Sequence, residues 1–180
     1  PLYLKTNGTS SAMATNSINF TSTAAMTVVT GVRKLSDAVQ GVLMELSADT
    51  ATNNGSFRAT YPAGVGLSTY GWISKGTLQS AAVSPGNYTS PISNVVTSIS
   101  NITAPEASIR VNGTRVTNTS ASQGTGTYGN YPLYLFARGN SVSLWFNGQF
   151  YGAIICGASK TTAEIQQAES YENQKAGGLY

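Results

Sequence analysis

The chain contains no histidine and a single cysteine, Cys156. The first absence excludes Ser-His-Asp and Cys-His catalysis, histidine-containing zinc sites and the usual switch near neutral pH. The second excludes an intrachain disulfide. Cys156 lies in the apolar run AIICG and reads as a buried small hydrophobe rather than a reactive thiol. Charge is scarce as well: Asp, Glu, Lys and Arg together make up 9% of the residues, with a net charge of +3 and no basic cluster. That excludes the electrostatic footprint of a nucleic-acid-binding surface. No apolar run approaches the length needed to span a membrane, and no signal segment precedes the first residues, so the chain reads as a processed or excised product.

Acids are too few for much acid–base chemistry. Only Asp37, Glu45, Asp49, Glu106, Glu164, Glu169 and Glu172 are present. Glycoside hydrolysis generally needs two carboxylates facing across the scissile bond. Glu45, in the strand-like LMELSAD, with Asp49 after it, is the one pair that invites that reading, and a Glu45 that faces solvent or pairs with a basic residue is the plainer alternative. The loop SADTATNNGS places Asp49, Asn53 and Asn54 together as oxygen donors of the kind Ca²⁺ accepts, without the spacing of an EF-hand loop. A polar turn is the expected reading, and no cofactor is expected.

What the chain does have is strand-like runs at short spacing, among them AAMTVVTGV, GVLMELS, GSFRATY, YGWIS, SNVVTSIS, YPLYLFA, VSLWF and QFYGAIIC. Turn chemistry separates them in NNG, PAGVG, SPGN, VNGT and ARGN. This pattern predicts an all-β domain, a sandwich or a barrel, over residues 1–180. Alternation puts Met26 with Val28 on one face, and Val95, Thr97 and Ile99 together on one face. One segment reads as a helix near 162–175. Thr161 and Glu164 form a capping box before it, Gly177 and Gly178 end it, and Ile165, Ala168 and Tyr171 form a thin apolar stripe. Glu164, Glu169 and Glu172 are expected on an exposed helix. PLYL occurs at Pro1–Leu4 and again at Pro132–Leu135, suggesting two strands each begun by proline.

Two Asn-Gly steps predict tight hairpins. In SIRVNGTRVT, a two-residue loop at Asn112-Gly113 pairs Ile109 with Val116 and Arg110 with Arg115, the arginines on a solvated face. In SLWFNGQFYG, a loop at Asn147-Gly148 pairs Trp145 with Phe150 and Leu144 with Tyr151. Both faces of that hairpin would be apolar, so either protein or a ligand must cover the second one. Cover by protein is the expected reading, since an open Trp-Phe pair invites aggregation.

Aromatic residues gather in Gly-rich loops. YPAGVGLSTYGW carries Tyr61, Tyr70 and Trp72, and GTGTYGNYPLY carries Tyr128, Asn130 and Tyr131, with Tyr88 elsewhere. Flat sugar faces stack on such rings, and Asn, Ser and Thr bond sugar hydroxyls. These six residues, Tyr61, Tyr70, Trp72, Tyr128, Asn130 and Tyr131, are the ligand-binding candidates, against the alternative that each ring packs under its own loop.

In order and spacing, MTVVTGVRKLSDAVQGVLMELS, IRVNGTRV, GTGTYGNYPLYLFARGN and FNGQFYGAIICGA, followed by a helix containing TTAEIQQAESY, resemble the concanavalin A-like or laminin-G-like jelly-roll domains of bacteriophage tail proteins. The opening YLKTNGTSSAMAT is similar to the first block of that group, with Asn7 where aspartate is common. The resemblance implies two packed antiparallel sheets. It places Leu144, Phe146 and Tyr151 toward the inter-sheet core, and Trp145 and Phe150 outside, under the helix or against a neighbouring subunit. It further implies a virion location on tail or capsid, non-enzymatic attachment to host surface polysaccharide, other virion proteins as partners, and a homo-oligomer, with a trimer favoured. A purely structural decoration or tail module, and a glycan-degrading sandwich hydrolase, are the alternatives.

Overall fold

The computed structural model describes residues Pro1–Tyr180. Two six-stranded antiparallel sheets face each other. Their strands are β1 (Leu4–Lys5), β2 (Met13–Asn19), β3 (Ala25–Lys34), β4 (Val42–Leu46), β5 (Ser56–Thr60), β6 (Gly71–Lys75), β7 (Gln79–Val83), β8 (Ile92–Asn101), β9 (Glu106–Val111), β10 (Thr114–Thr119), β11 (Asn130–Leu135) and β12 (Gly148–Cys156). One helix, α1, spans Thr162–Lys175. The first sheet runs β1-β12-β3-β8-β9-β10 and the second β2-β11-β4-β5-β6-β7. Both sheets draw strands from widely separated parts of the chain, so half of the neighbouring pairs are non-sequential, as a jelly roll requires.

The core follows from alternation. Met26, Val28 and Val32 of β3 and Ala107, Ile109 and Val111 of β9 meet Phe57, Ala59, Trp72, Leu46 and Leu133 of the second sheet in one buried cluster. The opposite faces of β3 and β8, with Thr27, Val29, Val95, Thr97 and Ile99, lie on the outside of the first sheet, where α1 packs. Both sets predicted to share a face do so.

Three tyrosines cross the space between the sheets. The Tyr70 hydroxyl accepts a hydrogen bond from Asn94 Nδ2 at 2.7 Å, and the Tyr61 hydroxyl lies 3.5 Å from that of Thr30. The Tyr128 hydroxyl sits between Ser74 of the second sheet at 2.6 Å and Ser100 of the first at 2.7 Å. Buried hydroxyls need such partners. Lys34 is buried beside the Tyr70 ring and pairs with Asp37, which also accepts from the backbone and side chain of Ser90. Burial alone would raise the Asp37 carboxyl, but these donors outweigh it and hold the pKa below its ordinary value.

The helix begins as its sequence predicts. Glu164 Oε2 accepts the Thr161 N–H at 2.8 Å while the Thr161 hydroxyl accepts the Glu164 N–H, and Gly177 and Gly178 leave it with positive φ. Its buried side, however, is not purely apolar: Ile165 is joined by Glu169 and Glu172. Glu169 takes a two-pronged contact from Arg110, at 2.8 and 3.1 Å, and the Thr97 hydroxyl. Arg110 is therefore roofed by the helix and not solvated. The Asn112-Gly113 turn forms with both residues at positive φ and Arg115 opposite Arg110. A bulge then sets Thr117, not Val116, opposite Ile109.

The Asn147-Gly148 hairpin does not form. Gly148 instead opens β12, paired with Lys34 of β3. A Cβ there would run into the Phe146 ring and the Arg33 carbonyl, so this glycine serves a close approach and not a turn. Trp145 and Phe150 consequently do not pair. Phe150 lies opposite Leu4 and Val32 and packs on Phe136, with ring centroids 5.3 Å apart, on the core side. Tyr151 stands near Tyr3 and the Gly31 backbone instead. Of the residues expected inside, Phe146 is fully buried and Leu144 is half-buried with φ of 49°. Pro132 also departs from expectation. It sits inside β11, between β2 and β4, beside a register shift that accommodates a residue lacking an N–H.

Candidate functional site

Four of the six sequence candidates belong to the core. Tyr61, Tyr70, Trp72 and Tyr128 have no exposed surface, so no sugar can stack on them. Phe57 stacks on Trp72 at 4.9 Å, and Tyr61 meets Tyr70 edge-on at 4.8 Å. Only Asn130 and Tyr131 remain at the surface. The Tyr131 hydroxyl donates to the Asn54 carbonyl oxygen, and its ring covers Gly129. Cys156 is half-buried, not sealed, and lines a groove of about 520 Å³ between α1 and the first sheet with Thr27, Ile154 and Ile165.

The Asp49 loop is already occupied by protein groups. Asp49 Oδ1 accepts the Ala51 N–H and Arg138 Nη2, both at 2.9 Å, and the Asp49 carbonyl accepts the Asn53 N–H. Hydrogen bonding from Ala51 first, then Arg138, holds the Asp49 carboxyl below its usual range. Asp49, Asn53 and Asn54 thus build a turn, and no group of three acidic, histidine or cysteine residues gathers anywhere in the fold. Asn7, at the position where aspartate is common in the group the chain resembles, accepts the N–H groups of Thr9, Ser10 and Ser11 through its side-chain oxygen and closes a local turn.

Glu45 is fully buried and saturated. The Thr50 N–H and hydroxyl donate to Oε1 at 2.9 and 2.8 Å, and the Gly139 N–H to Oε2 at 3.1 Å. A carboxylate so engaged fixes two loops over the sheet and is shut off from any substrate. This is the arginine-neighboured, structural alternative for Glu45, with Arg138 Nε 3.9 Å away.

Sequence reasoning passed over the residues beside it. Strand register lays one row across the outer face of the second sheet: Ala14, Tyr134, Glu45, Arg58, Ile73 and Ala81. The row two residues along contains Val42, Thr60 and Gly71, and extends through a bridge from Val42 to Trp145. Bridged residues share a face, so half-buried Trp145 lies on the same side as Arg58. Arg58 makes no hydrogen bond or ion pair, and its Nε is sealed from water without an acceptor. Burial, and then the positive charge of Arg138, lower its pKa, only partly offset by Glu45 and Asp49. Arg58 thus has no direct acid partner, and the Glu45 and Asp49 carboxylates act on it only at a distance. The face therefore combines a guanidinium with no direct partner, a tryptophan and polar loops. Arg58 stands in SFRATY with a period-2 pattern, so its outward direction was readable; its lack of an acidic partner was not.

No protein-family model matches the sequence, and no curated protein is similar to it by sequence. Solved structures do resemble it in shape. The carbohydrate-binding module CBM40 of the Ruminococcus gnavus IT-sialidase, bound to alpha2,3 sialyllactose, aligns with a TM-score of 0.64 at 12% identity, over 87% of this chain and 98% of that one. The native heptameric SAP-like pentraxin of Limulus polyphemus aligns with a TM-score of 0.66 at 8% identity, over 91% and 77%. Domains LG4-5 of the mouse laminin alpha1 chain align with a TM-score of 0.61 at 9% identity, over 87% and 42%. With two six-stranded antiparallel sheets and one short helix, the fold of this chain is the concanavalin A-like jelly roll.

Proposed function

We propose that the domain is a non-enzymatic carbohydrate-binding module that seats the carboxylate of an acidic sugar against Arg58, with Trp145 on the same face. The observation that carries this reading is the Arg58 guanidinium, half-buried on the outer face of a sheet without any acid partner. A ligand carboxylate supplies the missing direct partner in the two-pronged geometry arginine favours. The likeness in fold to a module bound to sialyllactose supports the class of ligand. The consumption of Glu45 and Asp49 in structural contacts supports binding without hydrolysis.

The setting we propose is a virion, on a bacteriophage tail or capsid surface, where the domain attaches to host polysaccharide. Support comes from the low charge of the chain and from the resemblance of its sequence blocks to those of phage tail domains. Calorimetry with sialyllactose and with lactose tests the site. Binding of the acidic sugar alone, weakened about tenfold or more in Arg58→Ala, is expected for a charged hydrogen bond. Absence of binding to any acidic or neutral glycan of host surfaces at millimolar concentration would instead make the domain a structural module.

A further inference from the structure

A sandwich of two open sheets has four edge strands, and edges with unpaired N–H and C=O groups recruit other strands unless something blunts them. Three of the four are blunted here. β1 is two residues long and carries Lys5. β10 carries Arg115 and a register shift between Arg115 and Thr117. β2 is broken by the register shift opposite Pro132 and Tyr134. β7 has no such device. Its residues, Gln79, Ser80, Ala81, Ala82 and Val83, are uncharged and pair with β6 without interruption.

The direction of its free groups follows from the ladder. The Ser84 N–H donates to the Tyr70 carbonyl, so alternation turns Ala82 and Ser80 toward β6. Gln79, Ala81 and Val83 turn their N–H and C=O groups away from the sheet, and none of these groups bonds elsewhere in the chain. Their side chains are exposed, and Val83 retains 49% of its accessible surface. The one charge on the adjoining strand face, Lys75, is withdrawn: its Nζ donates to the Ala51 carbonyl oxygen at 2.5 Å.

We propose that β7 is a dimerisation edge whose occupant is β7 of a second copy of this chain. Antiparallel pairing about a twofold axis at Ala81 sets Ala81 against Ala81 of the partner and Gln79 against Val83 of the partner. Each facing pair exchanges two hydrogen bonds, and every outward group of Gln79, Ala81 and Val83 is satisfied. The segment is self-complementary in the way a twofold interface requires, small at its centre and free of like charges on a chain of net charge +3. The two second sheets become one continuous sheet. The pairing stands apart from the glycan reading; joined with it, two Arg58 side chains lie on one face, five strand spacings or about 24 Å apart.

Sedimentation of the native chain across micromolar concentrations tests the edge. A reversible dimer is expected. Ala81→Pro removes only an outward N–H, so it should leave the melting temperature nearly unchanged while weakening the dimer about tenfold or more. Ala81→Lys, which places like charges on the axis, should act the same way if the proline variant fails to fold. In a Cys156→Ser background, Ala81→Cys should oxidise to a covalent dimer. A native chain that stays monomeric or forms a trimer, a dimer indifferent to both substitutions, or no crosslink through Ala81→Cys, would each overturn the proposal.

Discussion

Gly31 and Gly152 face each other across β3 and β12, and the space their missing side chains leave is filled from above by the Glu172 carboxylate of α1. Gly152→Val would drive two methyl groups into the Glu172 carboxylate and the Lys175 ammonium. We expect the helix to lift, at a cost of about 1–3 kcal/mol as for other overpacked sites. Limited proteolysis between β12 and α1, faster than in the native chain with the sheets still folded by circular dichroism, is the readout.

Two of the three helix glutamates, Glu164 and Glu172, respond to pH in opposite senses. Hydrogen bonds from the Thr161 backbone, then its hydroxyl, hold Glu164 down to about 2 against an ordinary 4.5, so its contribution exists above about 4.5 and is lost as pH falls toward 2. Burial raises Glu172, so its contribution is complete below about 4.5 and is lost as pH rises through its folded value. Melting temperature against pH should therefore lose its acid limb in part in Glu164→Gln. Glu172→Gln should be more stable than the native chain at neutral pH.

Burial pushes Tyr61 and Tyr128 up to about 12 and Tyr70 beyond ordinary titration. Groups raised this way contribute stability below pH 10 that is lost as pH climbs through their folded values. Absorbance titration should show three of the ten tyrosines ionising only with cooperative unfolding. In Tyr128→Phe the count of late tyrosines should fall to two.

Phe146 and Trp145 are neighbours with opposite fates. Phe146→Ala should cost about 3–5 kcal/mol by urea melts, as for other core aromatics. Trp145→Ala, on the outer face, should cost clearly less and instead weaken the acidic sugar.

The strand pattern made the sandwich legible, and the capping box marked the helix to within a residue at each end. The aromatic loops misled because a tyrosine in a Gly-rich loop is written identically whether its ring turns out or in. Here a loop residue at a strand end, such as Tyr61 or Tyr128, can reach the opposite sheet. Asn147-Gly148 misled for a related reason: glycine's signature does not distinguish positive φ from a neighbouring ring pressed on its backbone. Arg58 was invisible as a site because its distinguishing property is the lack of a partner.

The hydroxyls of Tyr61, Tyr70 and Tyr128 have a mechanical consequence. Apolar faces slide past one another with little change in contact, and a sandwich tethered by its ends can fail in that way under load. Here each tyrosine finds its partner, Thr30, Asn94 or Ser100, at one relative translation of the sheets. A shift of one residue breaks all three contacts between the sheets together. Shear between the layers is thus resisted at three separate points at once, and the domain should yield abruptly rather than creep.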